Sequence, residues 1–227
     1  MEYLDSQEIR EKHNNLRERQ QRSSWDVRSG KFLDLVRRFL PDKTAAITDC
    51  GSADGSLILQ LTEHGYRNLF CVDIDDYRQL AAKSIPFFKA DLCFDQLPWP
   101  DNSLDGVLSC QTIEHLENPY HFIREAHRAL KPGGILIIST PNPFHLLNRL
   151  LFFRHGNLYH FLEGDNHITF FTRAIFKKTF LKYFRLLSTN YGKPEFKLLF
   201  LNPLLKKILP ANQWFARYIY YVLQKPK

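Results

Sequence analysis

Apolar residues in the middle of the chain follow two alternating patterns. Short continuous apolar runs, which predict buried strands, occupy residues 45–48, 69–72, 86–89, 104–110 and 135–139. Apolar side chains at helical spacing occupy residues 32–40, 56–64, 77–83, 119–130 and 172–183, and further strands are predicted at 186–189 and 216–223. Strands that alternate with helices indicate right-handed crossovers, so we predict an α/β fold with a doubly wound parallel sheet.

The charge is divided unevenly along the chain. The 227 residues have a net charge of +7 and are 44% hydrophobic, which excludes a disordered chain. Residues 41–140 hold 8 basic and 14 acidic side chains, whereas residues 141–227 hold 14 basic and 3 acidic ones. We therefore expect two surfaces with different partners.

Neither a secretory signal nor a membrane span is expected. The first 22 residues lack an apolar core, and the longest uncharged stretch, residues 132–148, contains three prolines. The four cysteines form no C-x-x-C pair, which argues against a disulfide framework or a zinc site. We predict a cytoplasmic protein whose cysteines are reduced.

The most informative segment is the predicted turn between the first strand and the helix at residue 56. It contains Asp49, Gly51, Ala53 and Gly55. Glycines let the backbone approach a ligand closely, at the strand ends where doubly wound sheets bind ligands. The spacing differs from the dinucleotide pattern G-x-G-x-x-G, so a nicotinamide cofactor is only a distant alternative.

The pattern D-x-G-x-A-x-G resembles the first motif of class I S-adenosylmethionine-dependent methyltransferases, usually D/E-x-G-x-G-x-G. Ala53 replaces the middle glycine, an exchange that we expect to be tolerated if its φ is negative. Four further segments resemble this family in the same order, at residues 71–75, 89–92, 97–116 and 130–134. The resemblance implies a Rossmann-like, seven-stranded sheet with an antiparallel last strand.

The resemblance also implies a cofactor site for S-adenosylmethionine, with S-adenosylhomocysteine as the product. Asp73, at the end of the second strand, matches the acid that binds the ribose hydroxyls, and Asp91 matches the position that contacts the adenine. The complete predicted cofactor set is Asp49, Gly51, Ser52, Ala53, Gly55, Asp73, Ile74, Asp91, Leu92 and Gln111.

The subfamily is indicated by Gln111-x-x-Glu114-His115 together with His167. These residues look like those of methyltransferase type 11 enzymes, including methyltransferases of quinone biosynthesis and related small-molecule enzymes. Some relatives bind a divalent metal through E-x-x-E-H and a later histidine, but Gln111 is a poorer ligand for a hard cation, so no metal is expected. Asn118-Pro119 is interpreted as a helix start rather than as a motif for base methylation.

Two histidines are candidates for a catalytic base, because a hydroxyl acceptor benefits from one. They are His115, after the fourth strand, and His167; His145 and His160 are weaker candidates. A structural role stays open for both leading candidates: His115 could order its loop, and capping by Thr172 with packing of nearby phenylalanines could explain the His167 segment.

We divide the chain into an N-terminal helical extension, residues 1–40, and a methyltransferase domain, residues 41–227. The domain comprises a cofactor-binding core, residues 41–142, and an acceptor-side helical cover with the last strands, residues 143–227. The expected reaction is methyl transfer to a small-molecule or lipid-linked acceptor, more often at oxygen than at nitrogen.

The basic C-terminal third leaves several interpretations open. It could face an anionic acceptor, contact the inner face of a membrane peripherally through residues 196–209, or be a solvated basic surface. No specific nucleic acid is expected. The alternative function is a non-catalytic adaptor of the same fold that binds an anionic membrane or a protein partner.

Overall fold

The computed structural model describes residues 30–162, 165–194 and 208–227. The helix predicted at residues 5–22 lies outside these ranges. So does most of the segment 196–209 that was considered for membrane contact. Within the described ranges, no helix is long and apolar enough to cross a membrane.

A seven-stranded sheet forms the centre of the molecule. Its strands are β1 Ile47–Cys50, β2 Leu69–Asp73, β3 Phe87–Lys89, β4 Leu104–Cys110, β5 Leu130–Pro141, β6 Arg185–Tyr191 and β7 Tyr218–Gln224. They pair in the order β3-β2-β1-β4-β5-β7-β6, and β7 is antiparallel to both of its neighbours. The predicted Rossmann-like sheet and its antiparallel last strand are confirmed.

Helices connect the strands and cover the sheet. They are α1 Lys31–Phe39, α2 Ser56–Glu63, α3 Pro119–Ala129, α4 Leu146–His155 and α5 Arg173–Thr179. The Asn118 side chain accepts a hydrogen bond from the N–H of His121 at 3.2 Å, and Thr172 Oγ1 accepts one from Ile175 at the same distance. Both residues therefore cap helices, as the sequence predicted.

The core consists of two apolar layers, one on each face of the sheet. Alternate residues of β5 point into opposite layers, because successive side chains of a strand lie on opposite faces. Leu136 and Ile138 pack in the layer that contains the apolar residues of α3 and α5. Ile135 and Ile137 pack in the layer that contains those of α1 and α2.

The helix predicted at residues 77–83 is wrong. The segment forms a loop with one 3-10 turn at Leu80–Ala82, and Leu80 is 89% exposed. The buried guanidinium of Arg78 pairs with Asp76 at 2.8 Å and donates to the carbonyl oxygens of Ala82 and Ile85. These bonds hold the segment in a non-helical path that the apolar spacing did not reveal.

Two further details of the cover differ from the prediction. Helix α5 ends at Thr179 rather than at residue 183. In α4, Leu150 and Phe153 do not form a buried apolar face, because they are 58% and 94% exposed.

Candidate functional site

The turn after β1 is built on left-handed backbone conformations. Gly51 has φ +78° and Gly55 has φ +76°. A Cβ atom at Gly51 would lie 2.3 Å from the side chain of Thr112, and one at Gly55 would lie 2.7 Å from Cβ of Ala82. The turn is therefore held between the loop after β2 and the loop after β4, and both positions require glycine.

Ala53 also adopts a left-handed conformation, with φ +43°, so the expected negative φ is wrong. Its backbone N–H donates to Oδ2 of Asp73 at 2.8 Å. This hydrogen bond explains why the turn keeps the conformation of its glycine-containing relatives despite the strain that a Cβ atom introduces.

We expect Ala53→Gly to stabilise the protein. The methyl group is exposed, so its removal leaves no cavity, and the strain relieved amounts to roughly 1 kcal/mol. The midpoint of thermal unfolding should rise by about 2–4 °C. The control is Ala81→Gly, at another exposed alanine whose φ is not positive, which should not raise it. A lower midpoint for Ala53→Gly would contradict this interpretation of the turn.

Two buried carboxylates lie beside the turn. Asp73 is 7% exposed, and its Oδ1 accepts the N–H of Ile74 at 2.7 Å. Burial raises the pKa of Asp73 to about 6, against the effect of its two backbone hydrogen bonds. Burial, with the charges of Asp73 and Asp54, also raises the pKa of Asp49 well above its usual range. Two neighbouring buried acids favour a ligand that brings positive charge and hydrogen-bond donors.

Asp49 tests whether S-adenosylmethionine fits this site. Its Oδ1 is buried and has no hydrogen-bond partner among the described residues. A buried acceptor of this kind is costly unless a donor reaches it. The sulfonium and ammonium groups of the cofactor supply positive charge, and its ribose hydroxyls supply donors. The residues present therefore fit the cofactor.

The other predicted cofactor residues lie at the same edge of the sheet, because the carboxyl ends of parallel strands meet there. The N–H of Ser52 donates to the carbonyl oxygen of Val72. After β3, Oδ1 of Asp91 accepts the N–H of Cys93 at 2.8 Å, which orders the loop, and Leu92 is buried in the core.

Gln111 follows β4 with a positive φ of 56°. The amide orientation that satisfies all of its neighbours directs the oxygen towards Ser139 Oγ and the N–H of Thr140. Its nitrogen then faces a carboxylate oxygen of Glu114 at 3.3 Å. Gln111 thus links the ends of β4 and β5 below the loop that carries His115.

The structure brings the two predicted catalytic histidines together. The rings of His115 and His167 have centroids 4.7 Å apart. Nδ1 of His115 lies 3.0 Å from the carbonyl oxygen of Asn166, and Nδ1 of His167 lies 2.5 Å from that of His160. Since a carbonyl oxygen only accepts, both Nδ1 atoms donate, and each neutral ring carries its lone pair on Nε2.

The backbone also joins these two segments. The fully buried Glu114 accepts the N–H groups of Ile168 and Thr169 at its carbonyl oxygen, at 2.9 and 3.0 Å. Burial lowers the pKa of His167, which favours the neutral, proton-accepting ring. Both rings are therefore held in place as bases.

One group of side chains could hold a metal ion. Within the described residues, one ligand atom each from Glu114, His115 and His167 lie within 4.8 Å of one another. The neighbouring Gln111 offers an amide where a carboxylate would add charge and a stronger ligand for a hard cation. That no metal is required stays a prediction.

Several residues that position the site escaped the sequence analysis. Thr112 fills the space beside Gly51, and Arg78 shapes the loop beside Gly55. Thr112 lies within the motif that starts at Gln111, so its position was a usable signal. No signal marked Arg78, because its role depends on bonds to backbone oxygens several residues away.

The strand order, the turn after β1 and the acid at the end of β2 define the class I S-adenosylmethionine-dependent methyltransferase fold. Residues 48–138 match the family described as methyltransferase domain. The chain therefore carries a class I S-adenosylmethionine-dependent methyltransferase domain, and the predicted family and cofactor are confirmed.

Known proteins resemble the chain over different lengths. A probable S-adenosylmethionine-dependent methyltransferase of Mycobacterium tuberculosis is 34% identical over 97 residues, which cover 41% of this chain and 34% of that protein. Malonyl-[acyl-carrier protein] O-methyltransferase 1 of Coxiella burnetii is 32% identical over 112 residues, covering 49% and 37%. The chain thus spans about a third of the length of these curated relatives.

The fold is also found in solved structures. A methyltransferase of Thermotoga maritima, described as a possible histamine N-methyltransferase, superposes with a TM-score of 0.62 at 18% identity. The match covers 96% of this chain and 98% of that one. At this identity the likeness concerns the fold.

Proposed function

We propose that this chain transfers the methyl group of S-adenosylmethionine to an oxygen atom of a small-molecule or lipid-linked acceptor. The observation that carries the proposal is the position of the paired histidines. The Thr112 side chain, three residues before His115, contacts the turn that holds the cofactor in this class. A pair of neutral, proton-accepting rings thus stands beside the cofactor turn.

The cofactor would be held by the acidic edge of the sheet. Asp73 would accept the two ribose hydroxyls, and Asp49 would favour the positive charge at the methionine end. Asp91 and Leu92 would lie beside the adenine. The cofactor supplies an already activated methyl group, so the protein mainly has to hold the acceptor oxygen in line with it, at about 3–3.5 Å.

His115 is the base that we assign to the acceptor hydroxyl. Its Nδ1–H bond to Asn166 fixes the ring and leaves the Nε2 lone pair to accept a proton. His167 lies against the same ring and restricts its orientation. His167 therefore acts as a second base or as a positioning residue for His115.

The relatives support an oxygen acceptor without defining it. The Coxiella burnetii relative is named as an O-methyltransferase of malonyl-[acyl-carrier protein]. The Thermotoga maritima protein is described in terms of an amine. A test with both kinds of acceptor is therefore needed, and it should include a carboxylate, a phenol and an amine.

Replacing His115 by asparagine tests the assigned base. Asparagine can still donate to the carbonyl oxygen of Asn166 but has no counterpart of the Nε2 lone pair. We expect kcat to fall at least about 100-fold with a hydroxyl acceptor, while S-adenosylhomocysteine binding is unchanged. The measurement is the rate at which S-adenosylhomocysteine forms.

The matched control is His121→Asn. His121 is also partly buried and its Nε2 bonds a carbonyl oxygen, that of Asp95, but it lies on α3. Its variant should keep the rate of the unchanged protein. A His115→Asn variant with full activity would exclude the general-base role. Full activity on the amine alone would contradict transfer to oxygen.

A further inference from the structure

A cavity lies beside the histidine pair, between the end of β5 and the start of β7. His145, Tyr159, His160 and Arg217 line it, and its empty volume is about 420 Å³. Cavities of this size, within roughly 300–1,000 Å³, bind small molecules. The His160 ring lies 6.3 Å from that of His167, which in turn contacts His115. The cavity therefore adjoins the proposed base.

Buried amide side chains hold the walls of this cavity. Asn142 is fully buried and donates through its side chain to Ala216 and through its backbone N–H to the carbonyl oxygen of Arg217, both at 2.8 Å. Asn148 donates to the carbonyl oxygen of Asn142 and accepts the N–H of Tyr159 at 2.8 Å. The backbone on both sides of the cavity is thus fixed before any ligand binds.

Basic groups dominate the lining. Burial, the charge of Arg217 and the neighbouring His167 and His145 lower the pKa of His160 to about 3. Among the described lining residues the one carboxylate is that of Asp165, which is exposed. The potential inside the cavity is therefore set mainly by the guanidinium of Arg217.

Hydrogen-bond donors add to this charge. Nδ1 of His145 accepts the N–H of Leu147 at 3.1 Å, so its neutral ring carries the proton on Nε2. The guanidinium of Arg217 presents several N–H donors in one plane, a geometry that matches the oxygens of a carboxylate or a phosphate.

We propose that this cavity binds an anionic oxygen group of the acceptor, a carboxylate or a phosphate, with Arg217 as its principal partner. The proposal rests on the proposed function, since it treats the cavity as the place of the acceptor. It gives the excess of basic residues in the C-terminal third a specific role at the site. The anionic group would bind at Arg217 and direct the reacting oxygen towards His115.

Calorimetry on the full chain, saturated with S-adenosylhomocysteine, tests this site with two probes, inorganic phosphate and acetate. We expect at least one to bind saturably, with one site per chain. Arg217→Met should weaken that binding at least about tenfold. Arg217→Lys, which keeps the charge but loses the planar donors, should bind with intermediate affinity. The better-bound probe identifies the anionic group as a phosphate or a carboxylate.

The matched control is Arg185→Met, which removes the same charge from an exposed position at the start of β6. It should bind the anions as the unchanged protein does. If neither anion binds saturably, or if both arginine variants at position 217 bind as tightly as the unchanged protein, the proposal is overturned. The cofactor provides a separate readout: a chain that binds the anions through Arg217 but not S-adenosylhomocysteine contradicts the proposed function and leaves the anion site standing.

Discussion

Replacing Asp73 by alanine is expected to weaken the binding of S-adenosylhomocysteine at least about 100-fold, because two hydrogen bonds to a charged acceptor are lost. Asp73 is buried at the end of β2, and its oxygens already organise the turn after β1 through Ala53 and Ile74. The loss therefore combines the ribose contacts with the positioning of the turn. Equilibrium dialysis with labelled S-adenosylhomocysteine measures it.

Two variants separate this effect from general charge and from folding. Asp75→Asn removes a carboxylate two residues away, which pairs with Lys89 at 2.8 Å, and should keep its affinity. Asp73→Asn should lose affinity without a lower melting temperature at pH 8. Its pKa of about 6 lies above the unfolded value of 3.8, so the stability that Asp73 contributes is present below about pH 4 and is lost as pH rises through 6. Equal affinities for Asp73→Ala and Asp75→Asn would contradict the role of Asp73.

Gly51→Ala is expected to destabilise the protein and to lower cofactor affinity. The added Cβ atom would lie 2.3 Å from both Cγ2 and Oγ1 of Thr112, and the φ of +78° adds conformational strain. The strain alone costs about 1–2 kcal/mol, and the overlap with Thr112 forces the turn and the loop after β4 apart. The free energy of unfolding, measured in urea, should fall by more than the strain alone explains.

Gly65→Ala isolates that strain. Gly65 has φ +86°, but nothing lies within 4 Å of the position of its added Cβ atom. It should lose less than half of what Gly51→Ala loses. Adding Thr112→Ala to Gly51→Ala should restore part of the stability, because it removes the two closest atoms. Equal losses at the two glycines would show that the turn and the loop are not in close contact.

The sheet was predictable because its strands are short, apolar and separated by clear turns. The predicted limits of β4, residues 104–110, agree with the structure, and Asp49 and Asp73 fall at strand ends as predicted. The conformation of Ala53 was not predictable from its residue type, since alanine normally avoids a positive φ. The hydrogen bond to Asp73 that fixes it joins residues 20 positions apart.

The site beyond the cofactor turn depends on contacts that no local pattern shows. His115 and His167 were each recognisable as candidates, but their ring contact depends on how the cover folds back over the loop after β4. The cavity at Arg217 is further from prediction. Its walls come from the end of β5, from α4 and the loop after it, and from the residue before β7, joined by the side chains of Asn142 and Asn148.

Calorimetric titration of the unchanged chain with S-adenosylmethionine, S-adenosylhomocysteine and NAD tests the central claim most directly. We expect one molecule of either S-adenosyl compound to bind per chain, with a Kd in the micromolar range, about −8 kcal/mol, and no heat with NAD. Absence of binding by both S-adenosyl compounds, or binding of NAD in their place, would contradict the account.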